Sequence, residues 1–156
     1  MNSSVNAEFS IRRLHKEDLD SLLLLYKHLH AEDVALPERS RIEAVWSDIF
    51  GNPSYRYFGG FINEQLVSSC NLSVVPNLTR GCAPFGLIEN VVTHADHRRQ
   101  GYGKALLAHA LNSAWSCDCY KVMLMTGRKD EATLEFYASA GFDSQEKRAF
   151  VAKPKT

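Results

Sequence analysis

The sequence predicts an α+β domain with three layers, in which a mixed, mostly antiparallel sheet of six to seven strands is flanked by about four helices. Segments with alternating apolar residues are interspersed with segments that have apolar residues at helical spacing. Some β-rich segments follow each other directly, as in hairpins, whereas others are separated by helices, so antiparallel and crossover connections are mixed. The 156 residues fit one domain, 1–156, whose core we expect at about 9–152.

The first half of the chain contains two strands joined as a hairpin, preceded by a strand and two helices. Residues 9–14 alternate as a strand does, and apolar residues at helical spacing predict a first helix within 19–29. A second helix is predicted at 39–50, before the Gly-Asn-Pro that interrupts the chain. The β-rich runs 55–62 and 66–75 are separated by three polar residues, which indicates a hairpin.

The second half alternates strands with helices. A loop is expected at 76–84, and a strand follows it at 87–93. We then expect a helix at 103–115, a strand at 120–126, a helix at about 130–140, and the last strand or strands at 142–153. Asp130 or a neighbour caps the last helix, and Gly141 follows it as a C′ glycine.

The composition excludes several classes of partner. Eighteen Lys and Arg balance eighteen Asp and Glu, so the chain lacks the basic surface that nucleic acid or anionic lipid requires, and we expect neither nucleic acid nor a membrane as a partner. Apolar runs fall far short of the ~20 residues of a membrane span. Four cysteines without framework spacing and no secretory leader predict reduced thiols and a cytoplasmic location.

The most informative segment is Arg-Arg-Gln-Gly-Tyr-Gly-Lys at 98–104, between a strand and a helix. Its two glycines let the backbone approach a ligand closely, and the unpaired amides at a helix start attract anions. A Walker loop is excluded because Arg98 stands at its first glycine and Ala105 at its hydroxyl residue, and a dinucleotide fingerprint because Leu106 stands at its third glycine. The segment therefore predicts a phosphate cradle, with a loop of solvated arginines as the alternative.

Two motifs resemble the GNAT (Gcn5-related) N-acetyltransferases. Arg98-x-x-Gly101-x-Gly103 after a strand is similar to that family's pyrophosphate loop, and Phe136-Tyr137-x-x-x-Gly141-Phe142 resembles its helix-to-last-strand signature. The resemblance spans about 9–151 in element order and is specific mainly over 87–142. It implies acetyl-CoA as co-substrate without a metal. It also implies transfer of the acetyl group to a primary amine of a small molecule, by direct attack through a tetrahedral intermediate.

The resemblance also implies roles for individual residues. Tyr137 would be the general acid near the thioester sulfur, and Glu89 would be a base or a water-holding carboxylate. The residues implied in cofactor binding are Val91, Val92, Thr93, Arg98, Arg99, Gln100, Gly101, Tyr102, Gly103 and Lys104. Val91 to Thr93 would pair with the pantetheine arm and acetyl group, and the amides from 99 to 104 would hold the pyrophosphate.

Each catalytic candidate has a simpler alternative. Glu89 could bind substrate or an amide without acting as a base, and Tyr137 could be a packed aromatic beside Phe136. Strand alternation predicts that Glu89 and Val91 lie on one face. The chain departs from many family members at Lys129, where an Asn that contacts the cofactor is common.

The acceptor is less well defined by the sequence. Trp46, Tyr55, Tyr57 and Phe58 are candidates for an acceptor pocket, with core or hairpin packing as the alternative. Segments at 88–89 and 119–122 resemble the glucosamine-phosphate N-acetyltransferase branch, which makes an amino-sugar phosphate one candidate. The cations that could hold such an acceptor are Arg80, Arg128 and Lys129.

The sequence leaves two other functions open and argues against a metal site. The alternatives are acetylation of a protein or peptide amine, which predicts an open groove, and a non-catalytic acyl-CoA-binding regulatory module. The spacing of His94 and His97 with Cys117 and Cys119 is not a standard zinc pattern, so no metal site is expected. Homodimerisation is common in the resembling family and stays open.

Overall fold

The computed structural model describes residues 8–30 and 32–155. Within them the chain forms five strands and four helices, with short 3₁₀ turns between some of them. In chain order these are β1 (Phe9–Arg13), α1 (Leu19–Tyr26), α2 (Arg39–Gly51), β2 (Tyr55–Ile62), β3 (Gln65–Val75), β4 (Phe85–Thr93), α3 (Tyr102–Trp115), β5 (Val122–Leu124) and α4 (Glu131–Ser139). The four helices match the predicted number. None of the described helices combines the length and the apolar character that crossing a membrane requires.

The strands form one mixed sheet whose spatial order is the chain order, β1-β2-β3-β4-β5. The first three pairs are antiparallel and the pair β4–β5 is parallel, which confirms the predicted mixed, mostly antiparallel sheet. Asn63 and Glu64 form the tight turn of the predicted β2–β3 hairpin, with φ of 46° and 66°. Two successive positive φ values match the twist of the paired strands.

The expectation of six to seven strands is wrong, because the sheet has five strands among the described residues. Residues 142–153, where the last strand or strands were predicted, form no regular element. The physical reason is visible in the sequence: seven consecutive residues from Asp143 to Ala149 include six polar ones, so this stretch lacks the alternating apolar face that a half-buried strand needs.

Two apolar clusters cover the two faces of the sheet, which gives the predicted three layers. The α3-side cluster contains buried residues of the sheet and of α3, namely Phe58, Cys70, Leu72, Ile88, Leu106, Leu107, Ala110, Ala114 and Cys119. The α1-side cluster joins α1, α2 and the opposite face, namely Leu14, Leu19, Leu22, Leu25, Trp46, Phe61, Leu66 and Val92. Each large side chain buried in this way contributes about 1.5–3 kcal/mol.

The caps of α4 follow the prediction. The Asp130 carboxylate accepts a hydrogen bond from the Thr133 amide at 3.0 Å, which satisfies one of the unpaired donors at the helix start. Gly141 follows the helix with φ of 98°, a conformation that residues with a Cβ rarely adopt. These caps fix where α4 begins and ends, and so place its Phe136 and Tyr137 against the α3-side cluster.

Candidate active site

The wedge between β4 and β5 is the central feature of the candidate site. The parallel pairing ends where Ile88 is opposite Leu124, and β4 continues from Glu89 to Thr93 with a strand partner on the β3 side only. Backbone groups on the β5 side of this segment are therefore open to an extended ligand, which can pair with them as an added strand would.

A β-bulge interrupts β4 at this point. Val92 is opposite Ser69 and Glu89 is opposite Asn71, so three steps along β4 correspond to two along β3. Asn90, within the bulge, has a φ of 53°. After the bulge, Val91 packs against the α3-side cluster and Val92 belongs to the α1-side cluster.

The bulge corrects the expectation that Glu89 and Val91 share a face. Cross-strand partners point to the same side of a sheet, so Glu89 lies on the face of Asn71, opposite to the face of Ile88. Val91 points to the face of Ile88 because the extra residue shifts the alternation by one. Glu89 thus lies on the side of α1 and α2.

Asn90 is a site residue that the sequence interpretation missed. Its side-chain amide donates to the Asn71 Oδ1 atom at 3.0 Å, on the α1 side of the sheet. A signal for it was present, since an asparagine in the middle of an apolar strand tolerates a positive φ better than other non-glycine residues. The Asn71–Asn90 pair fixes the bulge next to Glu89.

The loop before α3 presents six backbone amides, from Arg99 to Lys104, that donate to no protein acceptor in the part of the chain described. The first helical hydrogen bond is from the Ala105 amide to the Gly101 carbonyl, at 3.0 Å. Gly101 caps the helix with φ of 82°, and a Cβ there would contact nothing within 4 Å. Unpaired amides together with the dipole of a 14-residue helix make this a site for an anion.

Arg98 braces this loop. Its guanidinium donates to the Thr93 carbonyl at 3.1 Å and to the His28 carbonyl at 3.0 Å, so it ties the loop to the end of β4 and to the segment that follows α1. Arg99 and Lys104 are exposed, and their charges add to the field of the amides. Tyr102 anchors the helix start by stacking on Phe9 with ring centroids 4.3 Å apart.

Gly103 lets three elements approach closely. A Cβ at this position would be 3.1 Å from the Phe136 ring of α4 and 3.3 Å from the Thr93 hydroxyl of β4. Because Gly103 has no side chain, α4 can pack closely against the start of α3 and the end of β4. This packing sets the position of Tyr137, the residue after Phe136.

Tyr137 is half-buried and packs against the α3-side cluster. Burial raises the pKa of its phenol, and the nearby Cys70 and Glu89 raise that pKa further, while Arg128 lowers it. Its hydroxyl donates no hydrogen bond to another described residue.

A cavity of about 320 Å³ lies between α1 and α2 and extends to the bulge. Its lining is mainly apolar, with Arg41 as a cation and Asn90 at the sheet. The lining residues are Leu19, Leu22, Leu23, Tyr26, Leu36, Pro37, Arg41, Ile42, Val45, Trp46, Ile49, Tyr57 and Asn90. A pocket of this size and character suits a small molecule.

The predicted acceptor residues divide between this cavity and other places. Trp46 and Tyr57 line it, whereas Tyr55 lines a separate small depression and Phe58 is buried in the α3-side cluster. Arg80, Arg128 and Lys129 do not line the cavity. Arg128 is instead paired with Asp130 at 2.9 Å, and the Arg80 guanidinium lies 5.8 Å from the Tyr120 ring.

The histidines and cysteines form no metal site among residues 8–30 and 32–155, where no three His, Cys, Asp or Glu side chains are grouped to hold an ion. His94 is instead stacked with His28, with ring centroids 4.0 Å apart. All four cysteines are free, and burial raises the pKa of Cys70 to about 12. Such a thiol stays protonated and is a poor nucleophile.

Comparisons with known proteins agree with this geometry. Residues 18–142 match the family described as "Acetyltransferase (GNAT) family". A glucosamine 6-phosphate N-acetyltransferase of Trypanosoma brucei brucei is 30% identical over 149 residues, which cover 90% of this chain and 93% of that protein. The solved structure of a putative acetyltransferase from Agrobacterium tumefaciens is 39% identical, with a TM-score of 0.87 over 93% of this chain and 99% of that one. An aminoglycoside N-acetyltransferase in complex with CoA shares the fold, at 18% identity, with a TM-score of 0.79 over 97% and 99% of the two chains.

Proposed function

Because the chain belongs to the GNAT family of acetyltransferases, we propose that it transfers the acetyl group of acetyl-CoA to the primary amine of a small molecule. The observation that carries the proposal is the juxtaposition of two unpaired backbone surfaces. The amides from Arg99 to Lys104 end at the start of α3, and the free side of β4 ends at Thr93 a few residues earlier in the chain.

These two surfaces fit the two parts of a coenzyme A molecule. The pyrophosphate would accept hydrogen bonds from the amides of 99–104, with Arg99 and Lys104 adding charge and Arg98 holding the loop in place. The amide-containing pantetheine arm would pair with the free side of β4 at Val91 to Thr93. When bound, acetyl-CoA supplies a thioester carbonyl as the electrophile.

Tyr137 serves as the general acid in this proposal. Burial raises the pKa of its phenol, so the hydroxyl carries its proton at neutral pH and can donate it to the departing sulfur. A thiol has an ordinary pKa near ~8.5, well below that of the phenol, so the departing thiolate needs only a hydrogen bond or partial transfer. A backbone amide on the free side of β4 stabilises the developing oxyanion.

Glu89 serves as the base or holds the water that acts as one. An alkylammonium has a pKa near ~10.4, so the acceptor must lose a proton before it attacks. Glu89 lies on the α1 side of β4, next to Asn90, which lines the cavity. This position beside a lining residue supports a role for Glu89 in taking a proton from an amine bound in the cavity.

The acceptor binds in the cavity between α1 and α2, where its carbon skeleton packs on apolar side chains. An amino-sugar phosphate is a specific candidate, since the relative from Trypanosoma brucei brucei bears the name of a glucosamine 6-phosphate N-acetyltransferase. In that case Arg41 is the lining residue that can pair with the phosphate. A peptide amine, or binding of acyl-CoA without turnover, are the rival functions.

The test combines cofactor binding with turnover on a panel of amines. Calorimetry with coenzyme A should give heat at micromolar to low millimolar concentration, and thiol release should appear with at least one small amine. The panel contains glucosamine 6-phosphate, glucosamine, an arylalkylamine and a lysine peptide. A calorimetric titration that gives no heat with coenzyme A would refute the proposal. Heat without release on any amine would favour the regulatory module, and release only with the peptide would favour the protein acetyltransferase.

We also propose that the core at about 9–152 acts as one acetyltransferase domain in the cytoplasm. Support comes from the four free cysteines, which suit a reducing compartment. Fractionation of cells with an antibody against the chain tests the location, and recovery of the protein in a membrane or secreted fraction would contradict it.

A further inference from the structure

The cavity between α1 and α2 has an almost entirely apolar lining. Eight of its thirteen lining residues are aliphatic or proline and three more are aromatic, which leaves Arg41 and Asn90. Two of the aliphatic side chains stay open to solvent, since Leu36 is 62% exposed and Val45 43%. Apolar surface gathered in one concave place gains free energy when an apolar ligand covers it.

The polar groups of the lining are few, and two of them already have protein partners. The Trp46 Nε1 atom donates to the Lys16 carbonyl at 2.9 Å, and the Asn90 amide donates to the Asn71 Oδ1 atom at 3.0 Å. The groups that remain for a ligand are the Arg41 guanidinium, two phenol hydroxyls and the Asn90 carbonyl oxygen. An amino sugar carries hydroxyls around its ring, and each one buried without a partner costs the free energy of its lost hydration. The lining therefore suits an apolar body better than a polyhydroxylated one.

The charge of the lining restricts the acceptor further. None of the described residues that line the cavity is acidic, and its one charged side chain, Arg41, is a cation. Burial raises the pKa of the Tyr26 and Tyr57 phenols, so neither supplies a negative charge near neutral pH. A second ammonium group in the cavity would find no counter-ion there and would be repelled by Arg41. The lining therefore favours an acceptor with a single amine.

Two aromatic rings of the lining add a preference for an aromatic ligand. The rings of Trp46 and Tyr57 are nearly perpendicular, with an interplanar angle of 86° and centroids 5.4 Å apart. A ligand ring can pack against the face of one and the edge of the other, a contact that aromatic rings favour. The cavity volume of about 320 Å³ is at the lower end of the ~300–1,000 Å³ usual for drug-sized ligands, and it suits one ring on a short chain.

We propose that the acceptor is an arylalkylamine, which has one primary amine on an apolar aromatic body. This inference rests on the proposed acetyltransferase function and names the substrate class of the same cavity. The ring packs between α1 and α2, and the amine points to Glu89 and Asn90 at the bulge of β4. In the reaction the bond between the acetyl carbon and the nitrogen forms and the carbon–sulfur bond of the thioester breaks. The nitrogen loses one proton, and the sulfur gains one.

Steady-state thiol release with saturating acetyl-CoA, at about pH 8, tests the substrate class. Phenylethylamine represents the arylalkylamines, glucosamine 6-phosphate the amino-sugar phosphates, and spermidine the polycations. We expect kcat/KM for phenylethylamine to exceed that for each of the other two amines at least about tenfold. A higher kcat/KM for either of those two would overturn the inference and leave the acetyltransferase function standing. No thiol release with phenylethylamine would also overturn it, and release with no amine at all would refute the acetyltransferase function too.

A matched pair of exposed apolar residues in the connection between α1 and α2 tests the location. Leu36 lines the cavity, whereas Val34 does not line it and is 88% exposed. We expect Leu36→Asn to raise KM for phenylethylamine about tenfold with kcat unchanged, because an amide replaces an apolar contact of the substrate. Val34→Asn is the control and should leave KM unchanged, and both variants should unfold in urea as the parent does, since neither side chain is buried. No rise of KM in Leu36→Asn, or an equal rise in both variants, would overturn the proposal.

Discussion

The Tyr137→Phe variant isolates the chemistry of one hydroxyl. The ring packs against the α3-side cluster, beside Phe136 at 5.0 Å and Phe142 at 6.4 Å, and phenylalanine preserves these contacts. The hydroxyl donates no hydrogen bond to a described residue, so its removal leaves no partner unsatisfied. The free energy of unfolding should therefore change by less than about 0.5 kcal/mol.

The effect on catalysis should be much larger. Loss of a positioned general acid lowers the rate about 10²–10⁴-fold, or about 2.7–5.4 kcal/mol at 1.36 kcal/mol per decade. We expect kcat to fall by this factor in a thiol-release assay, while calorimetry shows an unchanged affinity for coenzyme A. Tyr120→Phe, at a tyrosine that packs outside the α3-side cluster, is the control and should leave kcat unchanged. An unaltered kcat in Tyr137→Phe would refute the assignment and make the residue a packing element.

Three further substitutions test other parts of the molecule. Glu89→Gln should lower kcat/KM about 10²-fold at pH 7. In a pH profile this loss of kcat/KM should shrink as the pH nears the amine pKa of ~10.4, where the acceptor needs no base. A loss of kcat/KM that is constant with pH would contradict the role of Glu89 as a base. Gly101→Val forces a β-branched residue into φ of 82°, at a cost of about 1–3 kcal/mol in urea unfolding, and should weaken coenzyme A binding at least tenfold by calorimetry. Gly81→Val, at φ of 67° in another loop, should cost similar stability and leave the affinity intact; equal losses of affinity in both would count against the loop. Asp18→Asn breaks the two-point pairing with Arg12, whose hydrogen bonds hold the pKa of the Asp18 carboxyl below its usual range. The stability from this pair is present above the unfolded pKa of ~3.9 and is lost as the pH falls through the folded pKa. In urea titrations the variant should therefore be about 1 kcal/mol less stable than the parent at pH 7, and equal to it near pH 2. A difference in stability that persists near pH 2 would argue against the ion pair.

Local chemistry explains why the helices and the β2–β3 hairpin were predictable. The spacing of Leu19 and Leu22, the Asp130 cap and the turn at Asn63 each depend on residues close together in the chain. The anion loop was predictable for the same reason, since Gly101 and the start of α3 are adjacent in sequence.

Features that depend on distant partners were not predictable in the same way. The bulge at Asn90 arises from the register between β3 and β4, which strand alternation in β4 alone cannot show. The cavity needs α1, α2 and β4 together, so Arg41 and Leu36 gave no signal of their own. The missing last strand is a different case, since six of the seven residues from Asp143 to Ala149 are polar and the segment itself lacks the apolar face of a half-buried strand.

The extra residue in β4 moves the alternation of its side chains between the two faces of the sheet by one position. Ahead of it the odd-numbered Glu89 points toward the α1 layer, and after it the odd-numbered Val91 points toward the α3 layer. One continuous strand can thereby direct an ionisable group into one compartment and a hydrophobic anchor into the other within three residues. If the bulge relaxed to strict alternation with Asn90 retained, Val91 would turn to the α1 layer and Val92 to the α3 layer, so the bulge sets which side chain each layer receives.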